Sequence, residues 1–262
     1  MSAQFGPHRW SAGHDRTADT DRFHGTRFHV ADLREARFVD CDLSRVKLVD
    51  CTLVDVDVSG YLENLVVNGV DVTAYVEAEL DRRHPERVQL RSLASLDDFR
   101  ALWDTIEDLW AATTERAEQL PERLLHQRVD DEWSYVETLR HLVFITDSWA
   151  SRTILDQPNP FHQLALPQTA YNPGDAAALG MTLAATPAYA EVLAARRNRQ
   201  AVVRTILDTL TPADLGRPCP RTPAPGYPEG DRPVAECLSV VMEEEIDHHR
   251  YATRDLTTLE PS

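Results

Sequence analysis

Residues 232–256 read RPVAECLSVVMEEEIDHHRYATRDL. A proline near the start, no helix breaker after it, and apolar residues at Leu238, Val241 and Ile246 predict a long helix from about Arg232-Pro233 to Leu256. Glu245 and His249 are four apart, so they share a face one turn from each other. Their stripe runs back through Val241 and Leu238. A carboxylate on an apolar stripe must be paired or bound to a cation, because burying it alone is costly. Glu244 and His248 form a rival pair with the same spacing, and Leu238 tips the balance towards Glu245 and His249. The same residues also read as a solvated acidic face of Glu243, Glu244, Glu245 and Asp247, with both histidines in water.

Working back along the chain, three more long helices are predicted. Ser95 precedes Leu96-Asp97-Asp98, an N-cap with acids in the first turn. Phe99, Leu102, Trp103, Ile106, Leu109 and Trp110 then recur at helical spacing, and the helix runs to about Gln119. Ser134-Tyr135-Val136-Glu137 is a capping box with Trp133 at the staple position, opening a helix to about Leu155. His141 sits in it among Leu142, Val143 and Ile145. Thr186-Pro187 opens a third helix, which reaches about Leu210. Long proline-rich connections carry Pro158, Pro160, Pro167 and Pro173, and then the stretch Gly216 to Asp231; loops of that length inside a compact domain are usually functional. Four long helices with two extended connections predict a four-helix bundle. An imidazole facing the last helix would complete the set His141, Glu245 and His249. Two histidines and a carboxylate with an open position suit catalytic zinc or a related divalent ion. His141 reads equally as a core histidine bonded to a backbone carbonyl.

Between Asp21 and Gly60 the period changes. Phe23, Phe28, Leu33, Phe38, Leu43, Leu48, Leu53 and Val58 recur every five residues, with small residues such as Ala31, Ala36, Cys41 and Cys51 two places earlier. Five fits neither a helix nor a strand. It fits a square coil with one repeat per side. Ala31-Asp32-Leu33-Arg34-Glu35 resembles the A(D/N)LxX pattern of the pentapeptide-repeat family, which implies a short right-handed quadrilateral β-helix of about two coils. Cys41 and Cys51 are expected to pack inward. So short a coil implies a cap, a packing module or a dimerisation surface, and its exposed end invites a homodimer. Asp71 to Arg83 reads as a short helix ended by His84-Pro85, and Glu86 to Ser92 as a linker. The expected division is a flexible N-terminus over 1–20, the β-helix over 21–60, the short helix and linker over 61–91, and the bundle over 92–258.

Composition narrows the function classes. The chain of 262 residues has a formal charge of −16, which disfavours nucleic acid as a partner. No apolar run is long enough to span a membrane, and the polar start points to a cytoplasmic protein. The four cysteines show no metal or disulfide spacing and read as reduced structural thiols, with Cys237 on the core side of the last helix. Arg196, Arg197 and Arg199 read as a solvated face.

The segment Leu120 to Leu256 resembles the DinB superfamily, including its actinobacterial members. The resemblance rests on Glu132-Trp133-Ser134, on Glu137-Thr138-Leu139-Arg140-His141-Leu142, and on the run from Glu243 to Leu256. It implies a mostly α fold: a four-helix bundle with a divalent metal between helices. The second-helix histidine of that family matches His141. Its final-helix HxxxH motif falls on Glu245 and His249, so this chain departs from it at the first position. The resulting His, Glu, His set is similar to that of the mycothiol-dependent maleylpyruvate isomerases. The resemblance implies zinc, with nickel, iron or manganese as alternatives, and a low-molecular-weight thiol such as mycothiol acting on a small-molecule electrophile. The reaction expected is thiol S-transfer or isomerisation, since coordination turns a thiol into a thiolate at neutral pH. His248 and His162, the latter in the long connection, are then the candidate catalytic proton carriers. A metal-dependent hydrolase using bound water is the alternative, and a non-enzymatic interaction module built on the repeats is the third reading.

Overall fold

The computed structural model describes residues 23–38, 41–169 and 171–261. The expected flexible stretch over 1–20 lies outside them.

The repeats form corners without strands. Gly25, Val30, Glu35, Arg45, Asp50, Asp55 and Gly60 all take positive φ, one corner per repeat. The amides of Thr26, Ala36 and Val46 donate to the carbonyls of Phe23, Leu33 and Leu43, tight turns at the corners of Gly25, Glu35 and Arg45. Among the described residues no strand forms between 23 and 60. The eight large apolar side chains of the period stay 49% to 64% exposed. Cys41 and Cys51 are exposed too, contrary to the expected inward packing. The run is short, eight five-residue repeats, so little chain is available to cover these side chains.

After Gly60 come a small hairpin and two short helices. β1 (Val66–Val67) pairs antiparallel with β2 (Val70–Asp71). Between them Asn68 and Gly69 have φ of 50° and 81°, the signs a two-residue hairpin turn requires. α1 spans Thr73–Arg83 and ends at His84 as expected. The predicted linker is instead mostly a helix, α2 (Glu86–Arg91), because Pro85 both terminates α1 and is pre-set for the first turn of the next helix. Glu86 of α2 is buried beside His84, 3.3 Å away.

The helical half follows the predicted order. α3 (Leu96–Ala117) is capped by Ser95, whose hydroxyl accepts the Asp98 amide at 3.3 Å while the Asp98 carboxylate accepts the Ser95 amide at 2.8 Å. α4 (Glu122–Leu125) is a single turn. α5 (Tyr135–Ile145) has the predicted box: the Ser134 hydroxyl accepts the Glu137 amide and Glu137 returns the bond at 2.9 Å. The helix then widens into a π-helical segment, Thr146–Ile154, which carries Thr146, Asp147 and Ser148 into the core. α6 (Pro173–Ala178) is capped by Asn172 within the long connection. α7 (Tyr189–Thr209) starts after the predicted Thr186-Pro187, because Glu191 and Glu122 accept the amides of Ala188 and Tyr189. β3 (Pro218–Cys219) pairs with β4 (Arg232–Pro233), and α8 (Val234–Leu259) closes the chain.

The four long elements pack in a ring, α3 on α8, α8 on α5 and its π extension, α5 on α7, and α7 on α3. Leu102, Trp103, Leu139, Leu142, Val203, Leu207, Leu238 and Met242 fill the space between them. Among the described residues no helix is long and apolar enough to cross a membrane.

The Ser134 cap sets where α5 begins and hence the height of His141. Ser134→Ala should lower stability by about 1 kcal/mol in urea unfolding; an unchanged midpoint would show that packing alone fixes this helix start.

Candidate metal centre

α8 is buried on an unusually wide arc because it packs between α3 on one side and α5 with the π segment on the other. It therefore carries two polar seams, each with a glutamate and a histidine four residues apart.

The first seam is Glu245 and His249, and it does not meet His141. The Glu245 carboxylate is fully buried and bonded to the guanidinium of Arg196 on α7, itself 2% exposed. The Trp110 ring lies 5.7 Å from that guanidinium. His249 Nε2 is 2.8 Å from the Thr113 hydroxyl, and Trp110 meets its ring edge-on at 5.2 Å. Glu245 and His249 thus find protein partners on α7 and α3. The structure thus does not bring Glu245 and His249 together with His141, and Arg196 is a buried counter-ion where a solvated face was expected.

The second seam, Glu244 and His248, faces α5. Here His141, Glu244 and His248 place one ligand atom each within 4.8 Å of one another. Glu244 Oε2 is 3.5 Å from His141 Nε2 and 3.2 Å from His248 Nε2. His141 Nδ1 is 2.9 Å from the Leu166 carbonyl. A carbonyl only accepts, so Nδ1 carries the proton, and in a neutral ring Nε2 then faces Glu244 as an acceptor. Burial pushes the His141 imidazole below its ordinary value, which keeps it neutral at neutral pH. Burial opposes ionisation of Glu244, and what lowers its carboxyl below the usual range is hydrogen bonding to the two imidazoles that face it, which needs a proton, or a cation in the proton's place, between each pair. A lone pair and a carboxylate oxygen thus point at each other, with a second imidazole beside them. A cation satisfies that arrangement, and a histidine ligand anchored through its other nitrogen to a backbone carbonyl is the usual supporting contact.

Neighbouring residues hold the cluster in place. Trp133 lies 4.7 Å from the His141 ring and stacks on His248 at 6.1 Å, a role beyond the staple expected of it. Phe144 and Tyr251 flank the two imidazoles. Arg140, buried next to His141, donates to the carbonyls of Leu164, Thr182, Leu183 and Ala185 and so ties down the long connection. Its own carbonyl accepts the Leu166 amide. His162 does not join the cluster by any hydrogen bond. Its amide donates to Asp147 at 2.8 Å and its Nδ1 accepts the Leu164 amide at 3.1 Å. Asp147 is bonded in turn to Arg199 at 2.7 Å, and burial pushes its carboxyl up to about 6 against the pull of that arginine.

Residues 105–252 match the DinB superfamily, a stretch that is more than half of the chain. The protein belongs to the DinB superfamily. Residues 22–60 ahead of the DinB region match pentapeptide repeats in eight copies. No curated protein matches the chain. A crystal structure of a protein from Streptococcus pneumoniae is similar at 15% identity and a TM-score of 0.45, over 69% of this chain and 99% of that one.

Two outcomes follow for the seam that lies outside the cluster. Arg196→Met leaves Glu245 buried without its partner and should cost about 3–5 kcal/mol in urea unfolding. Adding Glu245→Leu should return most of that loss; a double variant as weak as the single one would contradict the pairing. Burial pushes the His249 imidazole down to about 4, with His84 adding to the push. The unfolded chain then takes up its proton first, so stability should fall as pH drops from 6.5 towards 4, by about 3 kcal/mol from this group. In His249→Gln that part of the acid loss should vanish from a stability-against-pH curve.

Proposed function

We propose that His141, Glu244 and His248 hold a divalent cation and that the protein is a metal-dependent enzyme acting with a low-molecular-weight thiol. The observation that carries the first part is the orientation of His141. Its Nδ1 donates to the Leu166 carbonyl, which points Nε2 at Glu244 and leaves that nitrogen as a ligand in the neutral ring. Two imidazole nitrogens and one carboxylate oxygen suit zinc, and also iron or nickel. A cation held by three protein ligands, when bound, acidifies a thiol or a water in its remaining coordination position.

The chain's own residues supply binding and shape. His141 is fixed by Leu166 and packed by Trp133 and Phe144, so its ring cannot swing away without breaking those contacts. Glu244 is the least buried of the three, with 29% of its side chain exposed, and marks the side from which solvent or substrate arrives. Trp133, Tyr251 and Phe144 give that approach aromatic walls, which favour an electrophile with an apolar body. The thiol part of the reading is supported by the superfamily resemblance of the His, Glu, His pattern, now carried by Glu244 and His248. In this reading His248 is a ligand, which removes it as a proton carrier.

Metal analysis of the purified protein after loading with zinc should give near-stoichiometric ion. His141→Ala, Glu244→Gln and His248→Ala should each weaken retention at least about tenfold, while Glu245→Gln and His249→Gln keep it. Loss on the second pair with retention on the first would overturn the assignment. With a panel of electrophiles, turnover should require added thiol; turnover without thiol would replace transfer by hydrolysis.

A further inference from the structure

The site just described uses no cysteine, yet two thiols meet in the core. Cys219 on β3 and Cys237 in the first turn of α8 are 1% and 0% exposed, and their sulfurs lie 3.8 Å apart. They bracket a connection that begins and ends at the two-residue ladder of β3 and β4, where Cys219 lies opposite Arg232. That connection packs at several points. The Thr222 carbonyl accepts from Arg152 at 2.9 Å, the Asp156 carbonyl accepts from Arg221 at 3.2 Å, and the Tyr227 ring meets Trp149 edge-on at 5.8 Å. The Tyr227 hydroxyl accepts from Gln168 at 3.4 Å, which ties this connection to the one carrying Leu166.

We propose that Cys219 and Cys237 are a peroxide-oxidisable dithiol whose disulfide staples the 220–231 connection to α8. Closing to a bond needs the two sulfurs to approach by about 1.8 Å. The two thiols differ in character. The Cys237 thiol donates to the Cys219 sulfur, and Arg217 adds positive charge near it, so Cys219 ionises below its ordinary value; the neighbouring sulfur and burial push Cys237 up. Cys219 lies on the two-residue strand β3 and Cys237 inside α8, so opening of the short ladder uncovers Cys219 first, as the nucleophile, with Cys237 as the resolving thiol.

The electrons balance with hydrogen peroxide as the oxidant. The Cys219 thiolate attacks one peroxide oxygen, an S–O bond forms, the O–O bond breaks, and hydroxide leaves to collect the thiol proton as water. The Cys237 sulfur then attacks the Cys219 sulfur. The S–S bond forms, the S–O bond breaks, and hydroxide leaves with the Cys237 proton as a second water. Two thiols lose two electrons and one peroxide gains them. Access comes through local opening of the β3–β4 ladder, which is only two residues long on each side and has little to break.

A peptide map of the full chain tests this. Reduced protein is treated with hydrogen peroxide, alkylated in denaturant and digested with trypsin without reductant. Trypsin does not cut Arg217-Pro218 or Arg232-Pro233, so Cys219 falls in fragment 205–221 and Cys237 in fragment 222–250. The expected product is these two fragments joined, separable by reductant, in the wild type and equally in Glu244→Gln. In Cys237→Ser the sulfenic acid should accumulate on Cys219 and be trapped by dimedone, whereas in Cys219→Ser Cys237 should remain alkylatable. Separately alkylated fragments after peroxide, fragments over-oxidised without joining, or a link to Cys41 or Cys51 would each overturn the proposal.

Discussion

A carbonyl oxygen accepts hydrogen bonds and never donates them, and the carbonyl of Leu166 thereby dictates the state of His141. Everything at the cluster depends on that contact. It fixes the proton on Nδ1, anchors the ring, and aims Nε2 across the gap to α8. The carbonyl is itself held by its neighbours. The Leu166 amide bonds back to Arg140, and the guanidinium of Arg140 grips Leu164 and the stretch from Thr182 to Ala185. One buried arginine thus converts a long proline-rich connection into a rigid second wall for the site. The long connection meets the cluster through the backbone carbonyl of Leu166, while His162 bonds to Asp147 and Leu164.

Buried charge organises the opposite side of the bundle as well. Arg196 lies at a core position of α7 and the partly buried Arg199 one turn on, in register with Val192, Val203 and Ile206. Each is matched by an acid from another helix: Glu245 from α8, Asp147 from the π segment. The π widening places Asp147 where it can bond Arg199 and the amide of His162 together. Breaking either pair would strand a charge in the interior, so the pairs hold α7 in register with its neighbours even where their net contribution to stability is small.

Much of the helical half is legible in the sequence because its signals are local. The boxes at Ser95 and Ser134, the apolar spacing of α3 and the proline before α8 each fix a helix start within a few residues. The pair on α8 is less legible. A helix packed on two sides has a buried arc too wide for periodicity to single out one seam, and Leu238 and Val241 point to the centre of that arc, where Glu245 sits. The signal that separates the seams lies on another helix. Arg196 and Arg199 fall on the four-three spacing of Val192, Val203 and Ile206, which marks them as buried and in need of acids. Glu245 is thereby spoken for, leaving Glu244 for the imidazoles. The Asn68-Gly69 turn of the β1–β2 hairpin was likewise readable from its dipeptide, whereas α2 required knowing that Pro85 opens one helix as it ends another. The five-residue period of the repeats is visible in both sequence and backbone, as one left-handed corner per repeat.

The position of a bound ion tests the central claim most directly. A crystal of the zinc-loaded protein, measured on both sides of the zinc absorption edge, should show a single strong anomalous peak within bonding reach of His141 Nε2, Glu244 Oε2 and His248 Nε2. A peak between Glu245 and His249, or none inside the bundle at full zinc loading, would contradict the account.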